Sequence, residues 1–309
     1  MRALAWFIPL TLCLGCDVGS TSETGAGGAT STNGGSGAAS SGSPSTSTGG
    51  APTTGGGTAS SGGAAANPPT DAGFELLFRD DFDTFDASRW QLMTHSWDGN
   101  LALFSTSAAQ IDDGTLRITL TPAPAGTVDS GGAPKTFLGA EVRSLDTLTY
   151  GRVRARAKLA AGSAVVSSLV TIYTPWPADN WNELDIEHLG AKPSEVQLNA
   201  MVYTGPPLTP PVARSVTPTA DPQSKALSTD LSADFHVYTI EWTPTAARFS
   251  IDDAVLREWT THIDLMTLPQ NVLLTIWASG SASWAGPVSD ETGQASAVYD
   301  WIELYRLEP

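Results

Sequence analysis

Basic residues are scarce in this chain: 16 Lys and Arg stand against 32 Asp and Glu, a formal net charge of −16 over 309 residues. So acidic a surface repels phosphate backbones, which excludes a nucleic-acid footprint. Long hydrophobic runs are missing as well. The one apolar run, Ala3 to Leu14, falls short of the ~20 residues that a membrane-spanning helix requires. Cysteine is confined to Cys13 and Cys16, so no disulfide scaffold can hold the rest of the chain. Tryptophan, by contrast, is plentiful: its ten copies outnumber Phe and Tyr taken singly and supply flat apolar platforms.

The N-terminus reads Met-Arg, then the apolar run, then Gly15-Cys16. A basic start, a short apolar core and a small residue before the cut describe a secretory signal over residues 1–16. Leu14-Gly15-Cys16 also resembles a bacterial lipobox, with Cys13 where leucine is usual, and this marks Cys16 for lipidation. Export is therefore expected, either lipid-anchored to a bacterial membrane or cell surface or simply secreted, and membrane contact only through the anchor. Residues 17–70 collapse to Gly, Ser, Thr and Ala with scattered Pro, and Asp17 and Glu23 are their only charges. So little apolar surface does not offset the entropy of ordering, and a disordered tether is expected, with a coil span of about 40 Å.

Residues 71–309 carry every Lys and Arg except Arg2. Short alternating runs such as Thr115-Leu-Arg-Ile-Thr-Leu-Thr, Gly151-Arg-Val-Arg-Ala-Arg-Ala and Ala247-Arg-Phe-Ser-Ile-Asp are separated by turn signals at Asp112-Asp-Gly and Asp252-Asp-Ala. That pattern predicts an all-β domain, one antiparallel β-sandwich rather than two small domains. Within it lies Asp179-Asn-Trp-Asn-Glu-Leu-Asp-Ile-Glu-His-Leu-Gly190. Alternate residues of a strand share a face, so Glu183, Asp185 and Glu187 project together, with Trp181 in the same row. Three like charges on one face repel each other. A solvated acidic face and a metal site are the bland alternatives; a catalytic carboxylate row beside an aromatic platform is the functional one.

Glu183-Leu-Asp185-Ile-Glu187 resembles the E-x-D-x-E signature of glycoside hydrolase family 16, in the uninterrupted form of the lichenase-like branch. Gly139-Ala-Glu141-Val-Arg143-Ser, Tyr150-Gly-Arg-Val-Arg-Ala-Arg-Ala-Lys, Val196-Gln-Leu-Asn199, Phe235-His236-Val-Tyr and Ile276-Trp277 are similar to further strands in the family order. The resemblance implies a curved, concanavalin-like β-jelly-roll with a cleft on its concave face. It also implies a retaining endo-β-glucanase acting on β-1,3- or mixed β-1,3/1,4-glucan, or a related transglycosylase; a non-catalytic sugar-binding jelly-roll is a third reading. By motif position Glu183 is the nucleophile, Asp185 its helper and Glu187 the general acid/base. Trp181 and Trp277 are expected to stack on sugar rings, Trp284 to line the acceptor side, and Glu141, Arg143 and Asn199 to hydrogen-bond hydroxyls. No cofactor is expected for catalysis. A structural calcium is implied at Asp300 and the backbone of Gly114, the partner is a polysaccharide, and a monomer is expected. His188 and His236 read as structural. Thr275 and Met201 stand where lichenases carry Asn and Tyr, a departure in the cleft rather than in the signature.

Overall fold

A computed structural model describes residues 73–174, 180–203, 207–208, 213–214, 219–220 and 223–308. The expected leader over 1–16, its Cys16 and the tether over 17–70 lie outside the described residues. Nearly every regular element among them is a β-strand; the longest helix is the single turn Ala282–Ala285. The sequence pattern accounts for this. In Gly151–Lys158 burial alternates strictly, with Val153, Ala155 and Ala157 fully buried and Arg152, Arg154 and Arg156 facing outward. Both turn signals form two-residue hairpins. Asp113 and Gly114 adopt φ of 50° and 68°, Asp252 and Asp253 of 50° and 64°, the left-handed pairs that match the twist of the flanking strands.

The strands form two sheets. In the outer one, Gly151–Lys158 lies between His236–Trp242 and Ser296–Leu307. The inner one runs, in spatial order, through Glu195–Tyr203, Trp181–Leu189, Val165–Ile172, Gln270–Ala278, Phe137–Leu148 and Trp90–Leu92. Among the described residues every pairing is antiparallel except Ala102–Phe104 with Phe137–Leu148. Leu184, Ile186, Leu274, Ile276 and Val142 of the inner sheet meet Val153, Ile240, Trp242, Phe249, Ile302 and Leu304 of the outer one in one core. Each such side chain contributes about 1.5–3 kcal/mol on burial. Both faces of the inner strands are thereby committed: one to this core, the other to the cleft. A single sandwich, as the sequence predicts, is what forms.

Candidate functional site

Trp181–Leu189 is buried along its whole length. Its core-facing residues Leu184 and Ile186 fix the register, and His188 packs with them, its Nδ1 3.3 Å from the carbonyl oxygen of Glu195. Period-two alternation then forces Glu183, Asp185 and Glu187 onto the opposite face. That face opens into a cavity which all three carboxylates line, together with Trp181, Trp277, Glu141 and Arg143. The acidic row is therefore neither solvated nor shared with a metal cluster: the three carboxylates are only 3–5% exposed, and no group of three His, Cys, Asp or Glu among the described residues could hold a metal ion.

Cross-strand register shows why these charges are costly. Glu183 stands between Met201 and Ile172, Asp185 between Asn199 and Val170, and Glu187 between Gln197 and Ser168. No neighbour on either strand is basic. Arg143 is the only Lys or Arg among the cavity-lining residues, and it donates from Nε to Glu141 Oε1 at 2.8 Å. Burial pushes the Glu183 carboxyl up to about 8, helped by the charges of Glu187 and Glu141 and opposed by a hydrogen bond with Asp185. Asp185 is held well above the usual carboxylate range by burial, by the charge of Glu183 and by its hydrogen bond to it, against the opposing hydrogen bond from Asn199. Glu187 is raised by burial and by the charge of Asp185. Glu183 Oε2 and Asp185 Oδ1 are buried with no hydrogen-bond partner, although buried polar atoms are nearly always paired. The site keeps acceptor capacity and protons in reserve.

Several expected residues fall into place here and others shift. Trp181 lines the cavity with one indole face stacked on Tyr203 at 5.1 Å and 18°. Trp277 lines it too, set edge-on to Trp97 at 5.1 Å and 64°. Glu141 and Arg143 are both at the wall, and their ion pair makes Arg143 first an orienter of Glu141. Asn199 lies on the neighbouring strand Glu195–Tyr203. It sits opposite Asp185 and hydrogen-bonds that carboxylate rather than lining the cavity, because the pairing of the two strands places it there. Trp284 lies beyond the end of Gln270–Ala278. It stands behind Trp277 at 5.8 Å, outside the cavity lining, and its Nε1 donates to Gln197 Oε1 at 2.6 Å. The turn Ala282–Ala285 carries it there.

Thr275, the departure from Asn, exchanges a 2.6 Å hydroxyl contact with Ser168 on the cleft floor. Two residues escaped the sequence reading. His95 places Nε2 3.4 Å from Glu141 Oε2, and burial depresses its pKa against the opposing charge of Glu141. Trp97 forms part of the aromatic wall. Both lie in the loop after Trp90–Leu92, where no periodicity marks a face; only the paired aromatic and imidazole in His95-Ser-Trp97 could have drawn notice.

Of the two positions where calcium is expected, Asp300 lies on the outer strand Ser296–Leu307 and Gly114 in the hairpin turn before Thr115. Arg156 Nη1 donates to Asp300 Oδ2 at 2.5 Å. At Gly114 an added Cβ would stand 3.8 Å from Asp83 Oδ1. Oxygen donors are thus present, as calcium prefers, but a cation would have to share Asp300 with a guanidinium.

The chain matches the family described as glycosyl hydrolases family 16 over residues 98–303. Among characterised proteins it is 30% identical over 192 residues to a beta-glucanase of Fibrobacter succinogenes, covering 60% of this chain and 52% of that protein, so the chain spans about half the length of this relative. It is 27% identical to a beta-glucanase of Bacillus subtilis, over 73% of this chain and 84% of the other. Among solved structures, a β-1,3-1,4-glucanase (lichenase) derived from a mouse hindgut metagenome superposes with a TM-score of 0.62 and 27% identity, covering 75% of this chain and 99% of that one. The buried E-x-D-x-E row on the cavity face of the inner sheet, the order of the strands around it and these matches agree: the chain belongs to glycosyl hydrolases family 16.

Proposed function

We propose that this protein is a retaining endo-β-glucanase acting on β-1,3- or mixed β-1,3/1,4-linked glucan. The observation that carries the reading is the row of three buried carboxylates without basic partners, set in a cavity walled by Trp181 and Trp277. In this reading Asp185 keeps the shared proton and donates a hydrogen bond through it to Glu183, so that Glu183 bears the charge of the pair. The Glu183 oxygen attacks the anomeric carbon as the glycosidic C–O bond breaks, and Glu187 gives its proton to the leaving oxygen. Glu187, now ionised, takes a proton from water, which attacks the same carbon and frees Glu183. Asn199 keeps Asp185 in register with Glu183, and Arg143 keeps Glu141 aimed at the cleft.

Substrate class follows from charge. A sulfated chain requires several cations to pair with its sulfates, whereas Arg143 is the only Lys or Arg lining the cavity among the described residues and is engaged by Glu141. Indole platforms suit the apolar faces of neutral glucose. Comparative rates on lichenan, laminarin, agarose and κ-carrageenan test this: cleavage of either glucan is expected, and preference for a galactan overturns it. Product analysis with added acceptor sugars reads whether a sugar replaces water in the second step. We further propose export and lipid anchoring through Cys16, with residues 17–70 as the tether; Cys16→Ser should abolish lipid labelling and release the protein from membranes.

A further inference from the structure

A hairpin-like loop connects Thr121–Pro122 to Phe137–Leu148, and its neck is closed by Ala123 N donating to Thr136 O at 2.8 Å. At its tip Asp129 Oδ1 accepts from the amides of Gly131 and Ala133, both at 2.9 Å. Its Oδ2 faces Lys135 Nζ at 3.2 Å, and the two side chains are only 6% and 4% exposed. Lys135 Nζ also donates to the carbonyls of Trp97 at 3.1 Å and Asn100 at 2.9 Å. All three donors of the ammonium are therefore placed, which is what burial of a charge demands.

Stability alone does not explain such a pair, because well-packed apolar side chains often serve as well. What an apolar residue could not do is satisfy two carbonyls of the turn 97–100 and fix its direction. That turn, closed by Asn100 N to Trp97 O at 3.2 Å, carries Trp97. The Trp97 ring meets Trp277 at 5.1 Å and Phe104 at 5.4 Å and forms part of the cleft wall. We infer that Lys135 and Asp129 form a buried latch that positions Trp97 against Trp277, and thereby sets how tightly the cleft holds its polymer. Lys135 reaches no reacting group: it acts through Trp97 and is a positioning residue. The kinetic consequence rests on the hydrolase reading above; the geometric one does not.

The test compares Lys135→Met, Asp129→Asn, Trp97→Ala and the Lys135→Met/Trp97→Ala double variant in the full chain. Lys135→Met should raise KM on glucan polymer about tenfold, the scale of one lost ring contact, with kcat within about twofold and an unshifted pH profile. It should also lose the far-ultraviolet circular-dichroism couplet that the Trp97–Trp277 pair contributes. Trp97→Ala should match it, and the double variant should be no worse than Trp97→Ala, because two substitutions acting through one ring are not additive. A Lys135→Met protein that melts earlier yet keeps its KM and its couplet would make the latch merely structural and overturn the inference. Should Lys135→Met not fold, Asp129→Asn decides: KM raised about twofold to fivefold supports the latch, and an unchanged KM refutes it. If the wild-type protein cleaves no β-glucan, the hydrolase reading fails, while the couplet still decides the latch.

Discussion

Two strands of this molecule carry charges at every second position, one on each sheet, and they treat them in opposite ways. On the outer sheet Gly151–Lys158 presents Arg152, Arg154 and Arg156, and each meets a carboxylate: Glu241 at 2.5 Å, Glu303 and Asp253 at 3.3 Å, and Asp300 at 2.5 Å. Aromatic rings cover the guanidinium groups, with Arg152 over Phe74 at 4.3 Å and Arg156 over Phe235 at 4.5 Å. On the inner sheet Glu183, Asp185 and Glu187 have the same spacing, deeper burial and no cation of their own. Charges that serve only the fold are paired. Charges kept for chemistry are buried without a cation opposite them, which raises their pKa values and leaves acceptor atoms open.

The sharpest way to break this comparison is to neutralise one member of each strand. Glu183→Ala should lower turnover on glucan by more than about a thousandfold, as loss of a nucleophile does. Added azide should restore cleavage with inverted anomeric configuration. Near-native turnover would remove Glu183 from the mechanism. Arg156→Gln on the outer sheet should leave turnover unchanged and cost at most about 1 kcal/mol, the ceiling for an exposed pair. Next in size is Glu187→Ala, which should cost about a hundredfold or more on polymer yet little on aryl glycosides whose leaving groups need no protonation. Equal losses on both substrates would argue against the acid role.

A smaller effect concerns stability. Because Glu183 is raised from 4.5 in the open chain to about 8 when folded, the folded state binds the extra proton. Stability is therefore lost as pH rises through that window. Glu183→Gln removes the penalty. Its Tm should exceed that of the parent by about 3–6 °C at pH 8 and by almost nothing at pH 5. A lower Tm for the variant at both pH values would show that the carboxylate is not strained. Smallest is calcium, whose proposed site at Gly114 and Asp300 shares Asp300 with Arg156. Chelator should lower Tm by a few degrees through loss of a ligand bound only to the folded state, and Arg156→Gln should enlarge that drop. An unchanged melting curve in chelator removes the metal.

How much of this was legible beforehand depends on period. Glu183, Asp185 and Glu187 could be placed on one face from sequence because a strand alternates every two residues, and Leu184 and Ile186 between them name the core side. The hairpins at Asp112-Asp-Gly and Asp252-Asp followed from turn chemistry that only a few residue types satisfy. The roles of Asn199 and Trp284 did not follow. Whether a side chain on the right face points into the cavity or at its neighbour depends on what stands opposite, and Asp185 across the ladder and Gln197 beside Trp284 are long-range partners.

The sequence by itself determined the all-β class, the face each signature residue takes and the family to which they belong, because alternation and turns are local. Tertiary structure alone decided which charges are paired. Arg143 was spent on Glu141, His95 and Trp97 were brought into the wall from an unpatterned loop, and Lys135 was sunk beneath that loop onto Asp129. The contacts of His95 with Glu141 and of Lys135 with Trp97 and Asn100 join segments far apart along the chain. Their strength comes from burial, which exists only once two sheets have closed over one core.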